Sequence, residues 1–147
     1  MNANGAVYLD TSALAKWYLL ESNSPQVTEY IVNLDRAAIS SLTITEMRCL
    51  LARRKRMREL DASLEAQIYA TFLEDIAQGS LWLYPVEDKH MESAANLISI
   101  LPSLTLRTLD AIHLGIAQHY GFERIATADK NFAEAAVALG LRVDLFE

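Results

Sequence analysis

The sequence predicts an α/β fold: a short, mostly parallel β-sheet flanked by helices. Three observations carry that expectation. Short apolar runs recur along the chain, each bounded by polar or turn-forming residues, as buried strands require. Segments with apolar residues at three- and four-residue spacing lie between them, so strands and helices alternate as in a sheet with helical crossovers. Finally, the first run passes straight into an aspartate, the arrangement that puts a side chain at the carboxyl edge of a parallel sheet.

AVYL at 6–9 reads as a buried strand ending at Asp10, and a helix follows over 12–21. Ser22, Asn23, Ser24 and Pro25 break the chain. Pro25 suits the first turn of the next helix, which runs to about Leu34. AAIS at 37–40 is a second strand, and Ile44, Met47 and Leu51 set the register of a helix over 43–56. Asp61 opens another helix, to about Gln78, and Gly79 ends it. LWLYPV at 81–86 is the third strand, followed by a helix over 89–101 that Pro102 stops. RTLDAIHLGIA at 107–117 starts the next helix, carried to about Tyr120 and stopped by Gly121. RIAT at 124–127 is the fourth strand, 130–140 a helix, and RVDLF at 142–146 the last strand. With no repeat, low-complexity tract or linker, the 147 residues read as one domain, 1–147.

Hydrophobic residues make up 52% of the chain, which excludes an intrinsically disordered protein. No segment approaches the ~20 apolar residues of a membrane helix, and MNANGAVYLDTS lacks the basic and apolar regions of an export signal. No membrane partner is expected. The single cysteine, Cys49, excludes an intrachain disulfide and a cysteine-rich zinc site. Within MRCLLA it reads as a small buried hydrophobe, and a reducing, cytoplasmic location fits. The net charge of −6 weighs against a phosphate-bearing partner. Against that, bases gather in RRKRMR, as Arg53, Arg54, Lys55, Arg56 and Arg58.

The acids are placed more tellingly than they are numbered. Asp10 follows the first strand, and Asp129 stands two residues beyond the fourth. Glu46 falls in the first turn of the helix after the second strand, and Asp110 in the first turn of its own helix. All four stand where the chain leaves the sheet or enters a helix at one edge. Each has an ordinary explanation. Asp10 and Asp129 can cap helices, Thr43 with Glu46 fits a capping box, and Asp110 after Thr108 suits the positive end of a helix dipole. Together, four carboxylates at one edge repel one another unless a cation shares the site, and oxygen-only ligation points to Mg²⁺ or Mn²⁺. Setting the four aside leaves 15 acids against 13 bases, so the acidic balance does not exclude a nucleic-acid substrate.

Asp110 and His113 lie three apart on one helical face, where they could hold a metal, share a proton, or be a first-turn carboxylate and a packed histidine. His113 lies a turn further from the edge, with no second histidine or cysteine at ligand spacing. It reads as a packed, hydrogen-bonded residue, with positioning of water or substrate as the lesser alternative. His113→Ala is therefore expected to cost stability more than chemistry.

YLDTSALAKWYLLE, SSLTITEM, RTLDAIHLGIA and IATADKNF, in this order, resemble the PIN-domain ribonucleases, in particular the VapC-type toxins of toxin–antitoxin pairs. The likeness runs from about residue 7 to residue 145. It rests on Asp10 with Ser12, Glu46, Asp110 with Ala111, and Thr127 with Asp129 and Phe132. The resemblance implies a PIN-like three-layer domain and a metal-dependent endoribonuclease. Asp10, Glu46, Asp110 and Asp129 would form its acidic, metal-holding pocket. The hydroxyls of Thr11, Ser12 and Thr127 would orient a carboxylate, water or phosphate. It also implies an RNA substrate cut to leave 5′-phosphate and 3′-hydroxyl ends, a homodimer, and a cognate antitoxin covering the active site. Two departures leave the acids untouched: Leu20 stands where many relatives have proline, and Gly115 sits mid-helix where alanine is usual.

Two other enzyme classes lack their signatures here. A haloacid-dehalogenase-like phosphatase would carry a second acid where Ser12 stands, and a dinucleotide-binding enzyme would carry glycines where LDTSAL has none. A non-catalytic RNA-binding or protein-interaction module of the same fold is the remaining alternative. Arg53, Arg54, Lys55 and Arg56, with Arg107, are the candidate contacts to an RNA backbone; a solvated helix end is the plainer account of the run at 53–56. Trp17, Tyr18 and Tyr69 are candidate stacking surfaces, with core packing the stronger reading.

Overall fold

The computed structural model describes residues 1–147. Its strands are β1 (Ala6–Leu9), β2 (Arg36–Ser40), β3 (Trp82–Tyr84), β4 (Arg124–Thr127) and β5 (Arg142–Leu145). Its helices are α1 (Thr11–Tyr18), α2 (Ser24–Val32), α3 (Ser41–Arg56), α4 (Ala62–Ala77), α5 (Asp88–Ile100), α6 (Thr108–Tyr120) and α7 (Lys130–Ala138). The sheet runs β3-β2-β1-β4-β5, with every neighbouring pair parallel. Parallel neighbours need long crossovers, which the helices supply.

The central strand β1 is buried throughout, and its period-two alternation divides the core. Ala6 and Tyr8 face one apolar cluster, completed by α5, α6 and α7 through residues such as Leu97, Leu114 and Phe132. Val7 and Leu9 face the other, completed by α1–α4 through Leu14, Ile31, Met47 and Phe72. Strands β2 and β4 split the same way: Ala38 and Ile125 on the first side, Ile39 and Ala126 on the second. The result is the expected three-layer α/β/α arrangement, and all strands present their carboxyl ends at one edge. No helix is long and apolar enough to cross a membrane.

Several expectations need correction. The first helix ends at Tyr18 rather than 21, because Leu19 is already extended and the Ser24 hydroxyl donates to its carbonyl at 2.7 Å. The third helix starts at Ser41, not 43, because Ser40 and Thr43 form the capping box. Glu46 therefore stands in the second turn, free of the capping duty that Thr43-x-x-Glu46 implied. The third strand is only Trp82–Tyr84; beyond it Val86 N donates to the Ser41 hydroxyl at 2.9 Å instead of extending the ladder. Arg107, not Thr108, occupies the N-cap of α6, without a side-chain cap bond. Cys49 is exposed, not buried, because its face of α3 turns away from the core. Gly115 has a packing reason: a β-carbon there would lie 3.1 Å from the His90 carbonyl oxygen of α5 and 3.3 Å from Ala94 N. The absence of a side chain lets α6 close on α5.

Candidate active site

The carboxyl edge of the sheet opens into a cavity of about 490 Å³. Asp10, Glu46, Asp110 and Asp129 all line it, so residues spread from the first strand to the last helix share one site. Asp10 leaves β1 and caps α1, its Oδ1 accepting from Ala13 N at 3.0 Å. Asp129 follows β4 and caps α7, its Oδ1 accepting from Asn131 N and Phe132 N at 2.9 and 3.1 Å. Capping and convergence are thus not alternatives; the caps aim these carboxylates. Asp110 sits in the first turn of α6.

The three hydroxyl residues each hold a carboxylate. Ser12 Oγ donates to Asp10 Oδ1 at 2.6 Å, and Thr127 Oγ1 donates to Asp10 Oδ2 at 2.7 Å. These hydroxyls also accept, Ser12 from Ala128 N at 2.9 Å and Thr127 from Asp129 N at 3.0 Å, which locks the ends of β1 and β4 together. Thr11 Oγ1 donates to Glu46 Oε1 at 2.9 Å. Burial pushes the Asp10 carboxyl above its ordinary value, opposed by the bonds from Ser12, Thr127 and Ala13. Asp110 is also pushed up, first by burial; Arg107 opposes the rise and the Asp129 charge adds to it.

Arg107 contributes the nearest positive charge. Its Nε donates to Asp110 Oδ2 at 3.4 Å and its Nη2 to Asp129 Oδ2 at 3.1 Å. No three of the acidic, histidine and cysteine side chains gather tightly enough to enclose an ion as they stand. The donor chemistry nevertheless fits a hard divalent cation. All four groups offer oxygen, and one oxygen of Glu46 accepts no bond from the protein while Thr11 and His113 take the other.

The basic run divides. Arg53 and Arg56 line the cavity wall on the α3 face that also carries Glu46 and Cys49. Arg54 turns to Glu21 and Glu59, at 2.8 and 2.9 Å, and Lys55 lies 3.8 Å from Glu65. Those two are thus engaged away from the acids. Trp17, Tyr18 and Tyr69 pack against the second apolar cluster, and none lines the cavity.

His113 is packed and hydrogen-bonded as the sequence suggested, but it does not lie away from the acidic edge. It is buried, 2% exposed, yet it reaches the cavity and bonds Glu46 Oε1 through Nε2. Its partner lies 67 positions away on another helix, so the spacing within α6 held no trace of it. Cys49 had a legible signal, since 46, 49, 53 and 56 share one face of a helix.

The protein-family description "PIN domain" matches residues 7–138. Ribonuclease VapC46 of Mycobacterium tuberculosis is 31% identical over 141 residues, which cover 94% of this chain and 95% of that protein. Among solved structures, the fold is similar to M. tuberculosis VapC20, described as a sarcin–ricin-loop-cleaving toxin. The TM-score is 0.71 at 16% identity, over 88% of this chain and 94% of that one. It is also similar to VapBC2 of Rickettsia felis bound to a DNA fragment from its promoter, at a TM-score of 0.69 and 15% identity, over 97% and 99% of the two chains.

Proposed function

Because this chain belongs to the PIN-domain family, we propose that it is a metal-dependent endoribonuclease, the toxin of a toxin–antitoxin pair that inhibits translation by cutting RNA. The observation that carries the reading is the meeting of Asp10, Glu46, Asp110 and Asp129 in one cavity at the carboxyl edge of the sheet. The nature of the named relatives, a ribonuclease and a sarcin–ricin-loop-cleaving toxin, supports it. Cognate antitoxin, homodimer, single domain and cytoplasmic location belong to the same proposal.

The four carboxylates would hold Mg²⁺ or Mn²⁺. When bound, such an ion polarises a phosphoryl oxygen and acidifies a water. The remaining work falls to the chain. Ser12 and Thr127 hold Asp10 against β4, and Thr11 holds one oxygen of Glu46, leaving the other free to face the ion; a carboxylate not fully engaged by the ion would accept the proton of the attacking water. Arg53, Arg56 and Arg107 line the cavity and would meet the RNA backbone there. Arg54 and Lys55, with their acidic partners, would contribute less.

Growth of the native host tests the toxin role. Strong expression without a partner should arrest growth, and Asp10→Asn should relieve the arrest at equal protein level. Unimpaired growth with folded, abundant wild-type protein would count against it.

A further inference from the structure

We propose that His113, braced by Tyr8, is a positioning residue that fixes the Glu46 carboxylate for RNA hydrolysis; the inference rests on the ribonuclease reading above. The observations are geometric. His113 Nε2 bonds Glu46 Oε1, and since a carboxylate only accepts, that nitrogen carries a proton toward it. The other ring nitrogen, Nδ1, lies 2.5 Å from the Tyr8 hydroxyl, which is itself 3.0 Å from Ser40 Oγ. Tyr8 and Ser40 are fully buried. Ser40 closes the N-terminus of α3, the helix that carries Glu46. The chain Ser40–Tyr8–His113–Glu46 therefore leaves α3 at its cap and returns to it in the second turn.

The ring stands where all four acid-bearing segments meet. Tyr8 lies two residues before Asp10 on β1, and Glu46 is on α3. His113 lies one turn after Asp110 on α6. Phe132, three residues after Asp129, packs its ring edge-on against the imidazole at a centroid distance of 6.3 Å. A core histidine that served packing alone would need only any satisfied partner. This one is bonded at both nitrogens, so the ring cannot flip, and one of its partners is a carboxylate of the cavity. Glutamate has three side-chain torsions. Pinning Oε1 by Thr11 and His113 removes most of that freedom and leaves Oε2 as the oxygen available for chemistry.

The test compares wild type, Tyr8→Phe, His113→Gln and His113→Leu. Each is melted first and assayed well below its melting temperature. The readouts are cleavage of an unstructured single-stranded RNA of mixed sequence with Mg²⁺, and Mn²⁺ affinity by calorimetry without RNA. His113→Leu should lower kcat roughly tenfold or more at unchanged KM, and weaken Mn²⁺ binding by a similar factor. His113→Gln, which keeps a donor, should recover part of both, and Tyr8→Phe, which keeps the ring, should fall between Leu and wild type. Variants that melt lower but keep wild-type kcat and Mn²⁺ affinity would overturn the proposal, as would a Gln variant no better than Leu. If wild type cuts no RNA, the ribonuclease reading falls and calorimetry still decides: equal Mn²⁺ affinity in wild type and His113→Leu overturns positioning.

Discussion

Asp10 is the most deeply buried of the four acids of the site. It is 6% exposed and receives three donors: Ser12 Oγ and Ala13 N on one oxygen, Thr127 Oγ1 on the other. Each donor comes from a residue whose type the sequence displays, so the carboxylate and its two hydroxyls were legible as a group. Thr127→Val removes the sole protein donor to Oδ2 at nearly constant volume. It leaves a buried acceptor oxygen short of a partner, which costs about 1–3 kcal/mol. Chemical denaturation at neutral pH should show a lower midpoint at unchanged slope; an unchanged midpoint would mean the bond contributes nothing. His113 shows the opposite limit. Its role depends on a partner on α3, and nothing within RTLDAIHLGIA names a residue on another helix.

At the scale of elements, strand and helix identity followed from periodicity and turn chemistry, whereas ends did not. β4 fell on 124–127 as expected because the helix-stopping Gly121 and Glu123 precede it and Asp129, the cap of α7, follows closely. α1 ended early because Ser24 and Lys16 bond the carbonyls of Leu19 and Ser22, side-chain-to-backbone contacts that apolar periodicity does not register. The edge strand β5 is tied down in a similar way. Asp144 accepts two bonds from Arg124 of β4, at 2.5 and 3.1 Å, and one from the Tyr30 hydroxyl of α2 at 2.5 Å. Burial would raise the Asp144 carboxyl, but those bonds outweigh it and hold the group below its ordinary value. A depressed carboxylate stabilises the fold above its unfolded pKa, about 3.9, and loses that contribution as pH falls through the depressed value. Asp144→Asn should therefore be less stable than wild type at neutral pH, by under about 1 kcal/mol because both partners keep solvent contact. The gap in denaturation midpoint should narrow as pH falls below the unfolded value of about 3.9 and through the depressed one. A gap that stays constant on acidification below the unfolded value would contradict the assignment.

Across the whole molecule, one rule organises the site. A parallel sheet brings every strand's carboxyl end to the same edge, so acids far apart in sequence become neighbours without any local signal of proximity. That is why the acidic cavity could be anticipated from where the acids fall at strand ends and helix starts along the chain. Its walls could not, because they depend on which face of α3 turns toward the edge: Arg53 and Arg56 do, Arg54 does not. The net charge of −6 is partly the charge of this one cavity, and Arg53, Arg56 and Arg107 set positive charge beside it in an otherwise acidic protein.

The central claim is that the four acids form one metal-dependent ribonuclease centre. Its most direct test is RNA cleavage by purified protein stripped with EDTA, before and after Mg²⁺ or Mn²⁺ is restored, beside Asp10→Asn and Asp129→Asn treated alike. The account predicts no cleavage by the stripped protein, recovery on adding either ion, and none by the folded variants under any condition. Cleavage that persists in EDTA and in both variants would contradict it.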